Sequence, residues 1–145
     1  MGIDLLITRK NEPDGWRNGP AFAGLRTMAG SLEFLDKLVF SLGTKNQLRE
    51  FFDPIRAEAD FYAEIHGQDM PEGWLEEQNL NWFDPDPAIE SLQYVMTRLQ
   101  AADEEMLAAN GVGNLVALLD DLEACLSILR EVKADGDLFC FELGM

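Results

Sequence analysis

Residues 138–143 read Leu138-Phe139-Cys140-Phe141-Glu142-Leu143, a short run that is apolar on both faces. Four to eight apolar and aromatic residues bounded by turn residues predict a covered strand. The turn before it is Ala134-Asp135-Gly136-Asp137. Upstream of that turn, Leu115, Leu118, Leu119, Leu122, Cys125, Leu126, Leu129 and Val132 make the cleanest amphipathic helix pattern in the chain. Asp120, Asp121 and Glu123 lie towards its start and Arg130 and Lys133 at its end, as the helix dipole favours.

At the other end of the chain, Ile3, Leu5 and Ile7 alternate with Asp4, Leu6 and Thr8, which predicts a second strand over residues 3–8. Two isolated strands are marginal in water. The simplest arrangement pairs them in one small sheet beneath a helical layer. The expected fold class is therefore mainly α with a small β element (α+β). Four to six helices pack on a short sheet formed by the N- and C-terminal strands, in a single compact domain over residues 1–145. A purely helical bundle with extended tails is the competing architecture.

Between the strands, Asn11 to Pro20 reads as loop. A helical stripe then runs from Phe22 to Leu42 with an interruption at Gly30-Ser31, where Ser31 is a candidate cap. Thr44 to Gln47 matches a capping box. A short helix follows to about Phe52, and Asp53-Pro54 begins another that carries Tyr62 and Ile65. Residues 67–86 are punctuated by Gly67, Pro71, Gly73 and Pro85 and read mostly as loop. Asp86-Pro87 reads as the start of a helix with Ile89, Leu92, Val95, Met96 and Leu99 as its core stripe. That helix either runs on to Leu107 or breaks near Ala102-Asp103.

Charge is distributed unevenly. The net charge is −16. Residues 1–50 hold seven basic and six acidic residues, whereas residues 51–145 hold four basic and twenty-one acidic. Between Arg56 and Arg98 there is no Lys or Arg, but there are Glu58, Asp60, Glu64, Asp69, Glu72, Glu76, Glu77, Asp84, Asp86 and Glu90. Such a field repels nucleic acid and anionic membrane and attracts basic proteins or cations. No stretch reaches the length of a membrane span, and the first residues lack the charge order of a secretion signal. Cys125 and Cys140 read as buried free thiols of a reducing cytoplasm.

Catalytic and metal-binding chemistry finds little support. His66 is the single histidine, at an apparent helix end before Gly67, where a donor serves the last carbonyls. Asp84-Pro85-Asp86-Pro87 lacks the ligand pattern of a calcium loop. The neighbouring carboxylates Asp103-Glu104-Glu105 and Asp120-Asp121 point in different directions on a helix. Gly111-Val112-Gly113-Asn114 has neither the strand nor the Lys of a phosphate loop. The expectation is no catalytic residue, no metal site and no cofactor.

Trp74, Trp82 and Phe83 stand outside any clean amphipathic stripe, among Glu72, Glu76, Glu77 and Asp84. Aromatic anchors ringed by carboxylates suit a basic protein partner, although the same aromatics can staple a loop to the core. The leading expectation is a non-enzymatic acidic binding protein that neutralises or inhibits a basic protein, without direct nucleic-acid or membrane contact. Immunity proteins and nucleic-acid mimics share this size, charge and compartment. The alternatives are a small enzyme or metal-binding protein using carboxylates and His66 in a helical cleft, and a homodimeric subunit whose acidic face is only solvating.

Overall fold

The computed structural model describes residues 3–22, 24–40, 46–53, 62–63, 65–68, 71, 74, 81–109 and 114–144. Strand β1 (Asp4–Arg9) pairs antiparallel with β2 (Phe139–Gly144) in a two-stranded sheet. Leu5 faces Leu143, Ile7 faces Phe141 and Arg9 faces Phe139. Five α-helices are found among the described residues: α1 (Arg26–Gly30), α2 (Leu32–Phe40), α3 (Pro85–Ala101), α4 (Glu104–Ala109) and α5 (Leu115–Ala134). The architecture is the α+β arrangement of helices on a sheet made by the first and last strands.

Hydrophobic periodicity accounts for the layers. Leu118, Leu122, Cys125, Leu129 and Val132 of α5 are fully buried, as are Leu92, Val95 and Leu99 of α3. The two helices pack on each other, and Lys133 Nζ lies 2.7 Å from Asp86 Oδ1. The end of α5 therefore meets the start of α3, and the pair runs antiparallel. Helix α1 lies between β1 and α5, and α2 lies against α3. Leu5, Ile7, Phe139 and Phe141 belong to the same core, with 1 % exposure or less. Each such side chain contributes about 1.5–3 kcal/mol by leaving water.

Helix ends follow local chemistry, with three differences from the sequence reading. Helix α3 starts two residues early: Asp84 is its cap, accepting from Asp86 N at 2.9 Å, and Pro85 takes the first helical position. Proline there loses no helical hydrogen bond. The capping box belongs to Gln47 and Glu50 and opens a 3-10 helix at Leu48–Phe51; Thr44 lies outside the described residues. The expected loop over residues 11–20 contains a 3-10 turn at Trp16–Asn18, and a second one follows at Pro20–Phe22.

Other expectations hold. Helices α1 and α2 break at Ser31, and α3 ends at Ala101 before Asp103. Asn114 caps α5, accepting from Ala117 N at 3.0 Å. Helix α5 closes in a Schellman turn: Gly136 N donates to Lys133 O and Asp137 N to Val132 O, at 3.0 and 3.1 Å. Gly136 sits at φ 67°, where a side chain is strained. Cys125 and Cys140 are buried free thiols. No helix is long and apolar enough to cross a membrane among the described residues.

Candidate functional site

The aromatic and acidic segment singled out by the sequence is mounted on the outer edge of β2. Phe83 and Phe139 exchange both backbone hydrogen bonds, at 2.9 and 3.0 Å, and Phe52 forms a parallel bridge with Phe141. The chain thus leaves the sheet edge just after Phe52 and returns to it at Phe83. Asp53 and Asn81 tie this neck together: the Asp53 carboxylate, 1 % exposed, accepts from the backbone N–H of Asn81. The sequence reading gave Asp53 to a helix cap; residues 54–60, which would form that helix, lie outside the described residues.

Five phenylalanines brace the neck. Phe51 packs edge-on to Phe83 at 5.8 Å and lies 5.7 Å from Phe139. Phe52 meets Phe141 at 5.6 Å, and Phe139 meets Phe141 at 5.0 Å. These spacings fall in the favourable range for ring pairs.

The seven sequence-predicted contact residues fall into three groups. Phe83 is half-buried in the phenylalanine cluster, and Asp84 is exposed while its carboxylate caps α3. Trp74 and Trp82 are half-buried, and Trp74 N donates to Pro71 O at 3.0 Å. Glu72, Glu76 and Glu77 lie outside the described residues. Phe83 and Asp84 therefore sit at the foot of the segment with structural duties of their own.

Several cations form local ion pairs. Arg17 pairs with Glu12, Arg26 with Asp4, Lys37 with Glu33 and Lys133 with Asp86. On α5, Asp120, Glu123 and Glu131 are exposed, and none has an ion-pair partner among the described residues. Their spacing of three and eight residues keeps them close to one side of the helix.

A groove of about 430 Å³ lies between α2 and the 3-10 helix and is lined by Leu32, Glu33, Asp36, Lys37, Gln47 and Arg49. Its buried carboxylate is already engaged: Asp36 Oδ1 and Oδ2 accept from Leu48 N and Arg49 N. Burial pushes the Asp36 carboxyl above the ordinary carboxylate value, against the pull of those two donors. His66 is exposed and its ring lies 4.4 Å from that of Tyr62. The helical turn before it ends at Gly67, whose N–H bonds to Ala63 O at 2.9 Å. Glu58, Asp60 and Asp69, the carboxylates nearest to His66 in sequence, lie outside the described residues. Among the described residues no group of three His, Cys, Asp or Glu is placed to hold a metal ion.

Several residues with structural importance carry no sequence signal. Asp121 reaches from α5 to accept from Met28 N at 3.0 Å, so it caps α1 from another helix. Arg9, 4 % exposed, donates to Asp137 and Asp135 at 2.9 and 3.0 Å, and its guanidinium lies 4.8 Å from the Trp16 ring centre. No protein-family model matches the chain, and no curated protein or solved structure matches it either.

Proposed function

We propose that the protein is a non-enzymatic acidic binding protein that neutralises or inhibits a basic protein partner. The observation that carries this reading is the stretch from Arg56 to Arg98, which holds ten carboxylates and no Lys or Arg between its ends. The exposed Asp120, Glu123 and Glu131 of α5, without ion-pair partners among the described residues, support it. The contact surface of this proposal is the 58–90 segment: Glu72, Trp74, Glu76 and Glu77 with Trp82, Phe83 and Asp84 at its foot. Trp74 and Trp82, both half-buried, are the proposed aromatic anchors. Charge sets the on-rate and packing sets the off-rate. The proposed compartment is the cytoplasm, in keeping with two free cysteines.

Capture from native lysate at low and at 0.5 M salt, followed by kinetics with the captured protein, tests the proposal. The expected partner is basic and releases at high salt. Glu76→Lys with Glu77→Lys lowers the association rate mainly at low salt, where the Debye length is about 30 Å at 0.01 M. Trp74→Ala raises the dissociation rate by the equivalent of about 2 kcal/mol. Capture of no basic protein, or unchanged kinetics in both variants with the fold intact, overturns it.

A further inference from the structure

Strands β1 and β2 come from opposite ends of the chain, with 132 residues separating Thr8 from Cys140. No connecting turn sets their register, as it does in a hairpin. Hydrophobic pattern specifies it only weakly. Phe139, Cys140 and Phe141 are all buried, so both faces of β2 are covered. A one-residue slip would put Glu142 and Gly144 in place of Phe141 and Leu143, but a two-residue slip keeps every side chain on its own face. Something else must hold β1 in place.

Polar groups at one end of the pair have the required specificity. Arg9 is opposite Phe139, and its Nε reaches back to Asp137 in the turn that closes α5. Asp137 also accepts from Asn11 N at 3.2 Å, Asn11 Nδ2 at 3.1 Å and Leu138 N at 2.8 Å. Trp16 lies against the Arg9 guanidinium while its Nε1 donates to Ile7 O at 2.9 Å. The loop after β1 and the turn before β2 thus grip the same residues. A two-residue slip that sets Arg9 opposite Phe141 moves it by roughly 6.5–7 Å along the strand, away from Asp137. It would leave a guanidinium and a carboxylate buried apart from each other, an arrangement that costs far more than a buried pair.

We propose that the Arg9–Asp137–Asn11–Trp16 cluster is a clasp that selects the register of the sheet. Its ion pair adds little net stability compared with an apolar or neutral replacement of both charges, because each charge is desolvated to make it. Breaking one side alone is costly for the same reason.

Nuclear magnetic resonance reads the register directly. Leu5 N–H points away from β2 to Leu25 O, and Phe139 N–H points away from β1 to Phe83 O. Leu5–Leu143, Ile7–Phe141 and Arg9–Phe139 are therefore the non-hydrogen-bonded pairs, whose Hα atoms lie close across the strands. The full chain gives one set of these contacts. Arg9→Met alone lowers the melting temperature by roughly 10 °C or more. Arg9→Met combined with Asp137→Asn returns it to within about 4 °C of the parent chain. That double variant shows a second set of Hα contacts, from Ile7 to Leu143. Asp135→Asn, which keeps the Arg9–Asp137 contact, shows one set. A folded double variant with the native contacts alone overturns the clasp. So does a double variant as unstable as Arg9→Met, which would make the pair a source of stability in its own right.

Discussion

Asp36 and Asp137 are both 6 % exposed, yet their carboxyls shift in opposite directions. Burial acts on each in the same sense, disfavouring the charged form. At Asp36 burial prevails: two backbone donors and Arg49 oppose it, while Glu50 adds to it. At Asp137 burial is outweighed by Leu138 N–H, the Arg9 guanidinium and both donors of Asn11, and the carboxyl falls below its ordinary value. Solvent exposure alone therefore does not set the direction of the shift. Asp36 lies deeper among protein atoms and has fewer donors, whereas Asp137 has more donors and a buried cation beside it.

Removing each carboxylate separates the two cases. Asp137→Ala strips Arg9 of its buried partner and leaves it the half-exposed Asp135. The expected loss in urea denaturation is about 3 kcal/mol, the lower end for breaking a buried pair. Asp36→Ala removes the acceptor for Leu48 N and Arg49 N, and the expected loss is about 1–2 kcal/mol, the scale of a cap.

Stability against pH gives the two aspartates opposite signs. Asp137 has a lowered folded value, so its contribution is present above the unfolded value near 3.9 and is lost as pH falls through the folded one. Asp137→Asn should accordingly flatten the acid limb of the profile below about pH 4. Asp36 has a raised folded value, so its contribution is complete below about pH 4 and is lost as pH rises through that value. Asp36→Asn should gain on the parent chain across that rise. Denaturation midpoints from pH 2.5 to 7 check both, and a common slope in the two variants would sink the comparison.

An exposed pair makes the smallest electrostatic contrast. Lys133 and Asp86 are each 57 % exposed, and Lys133→Ala is expected to cost less than about 0.5 kcal/mol. The buried thiols give a null result of another kind. Burial, helped by the Asp121 charge, pushes the Cys125 thiol up, so it supplies little thiolate. Neither Cys125 nor Cys140 should label within minutes in native buffer, and both should label at once in denaturant.

Elements with a repeating apolar signal were legible in the sequence. The alternation at Leu5 and Ile7 and the stripe from Leu115 to Val132 each imply one buried face, and that face is where the core lies. Neighbouring caps were legible to within two or three residues: Asp84 and Asp86, or Thr44 and Gln47, are chemically equivalent starts, and only packing chooses between them. Long-range polar contacts were not legible. Nothing local distinguishes Asp121, which caps α1, from its exposed neighbour Asp120. The tie from Asp53 to Asn81 and the reach of Arg9 to Asp137 likewise depend on the chain folding back on itself. The acidic stretch was plain from composition, but which of its aromatics serve the neck emerged only once β2 had neighbours on both edges.

Pairing the first strand with the last also constrains synthesis. β1 leaves the ribosome some 130 residues before the strand it needs. At about 5–20 residues per second, Leu5 and Ile7 wait for many seconds for the strand that pairs with their inner edge. Contacts this distant in sequence slow folding, because a long loop must close before they form. The nascent chain therefore carries an apolar strand without its sheet partner while helices α1 to α5 are made. Its helices α1 to α4 can gather meanwhile, but the sheet is sealed only once α5 and β2 have followed.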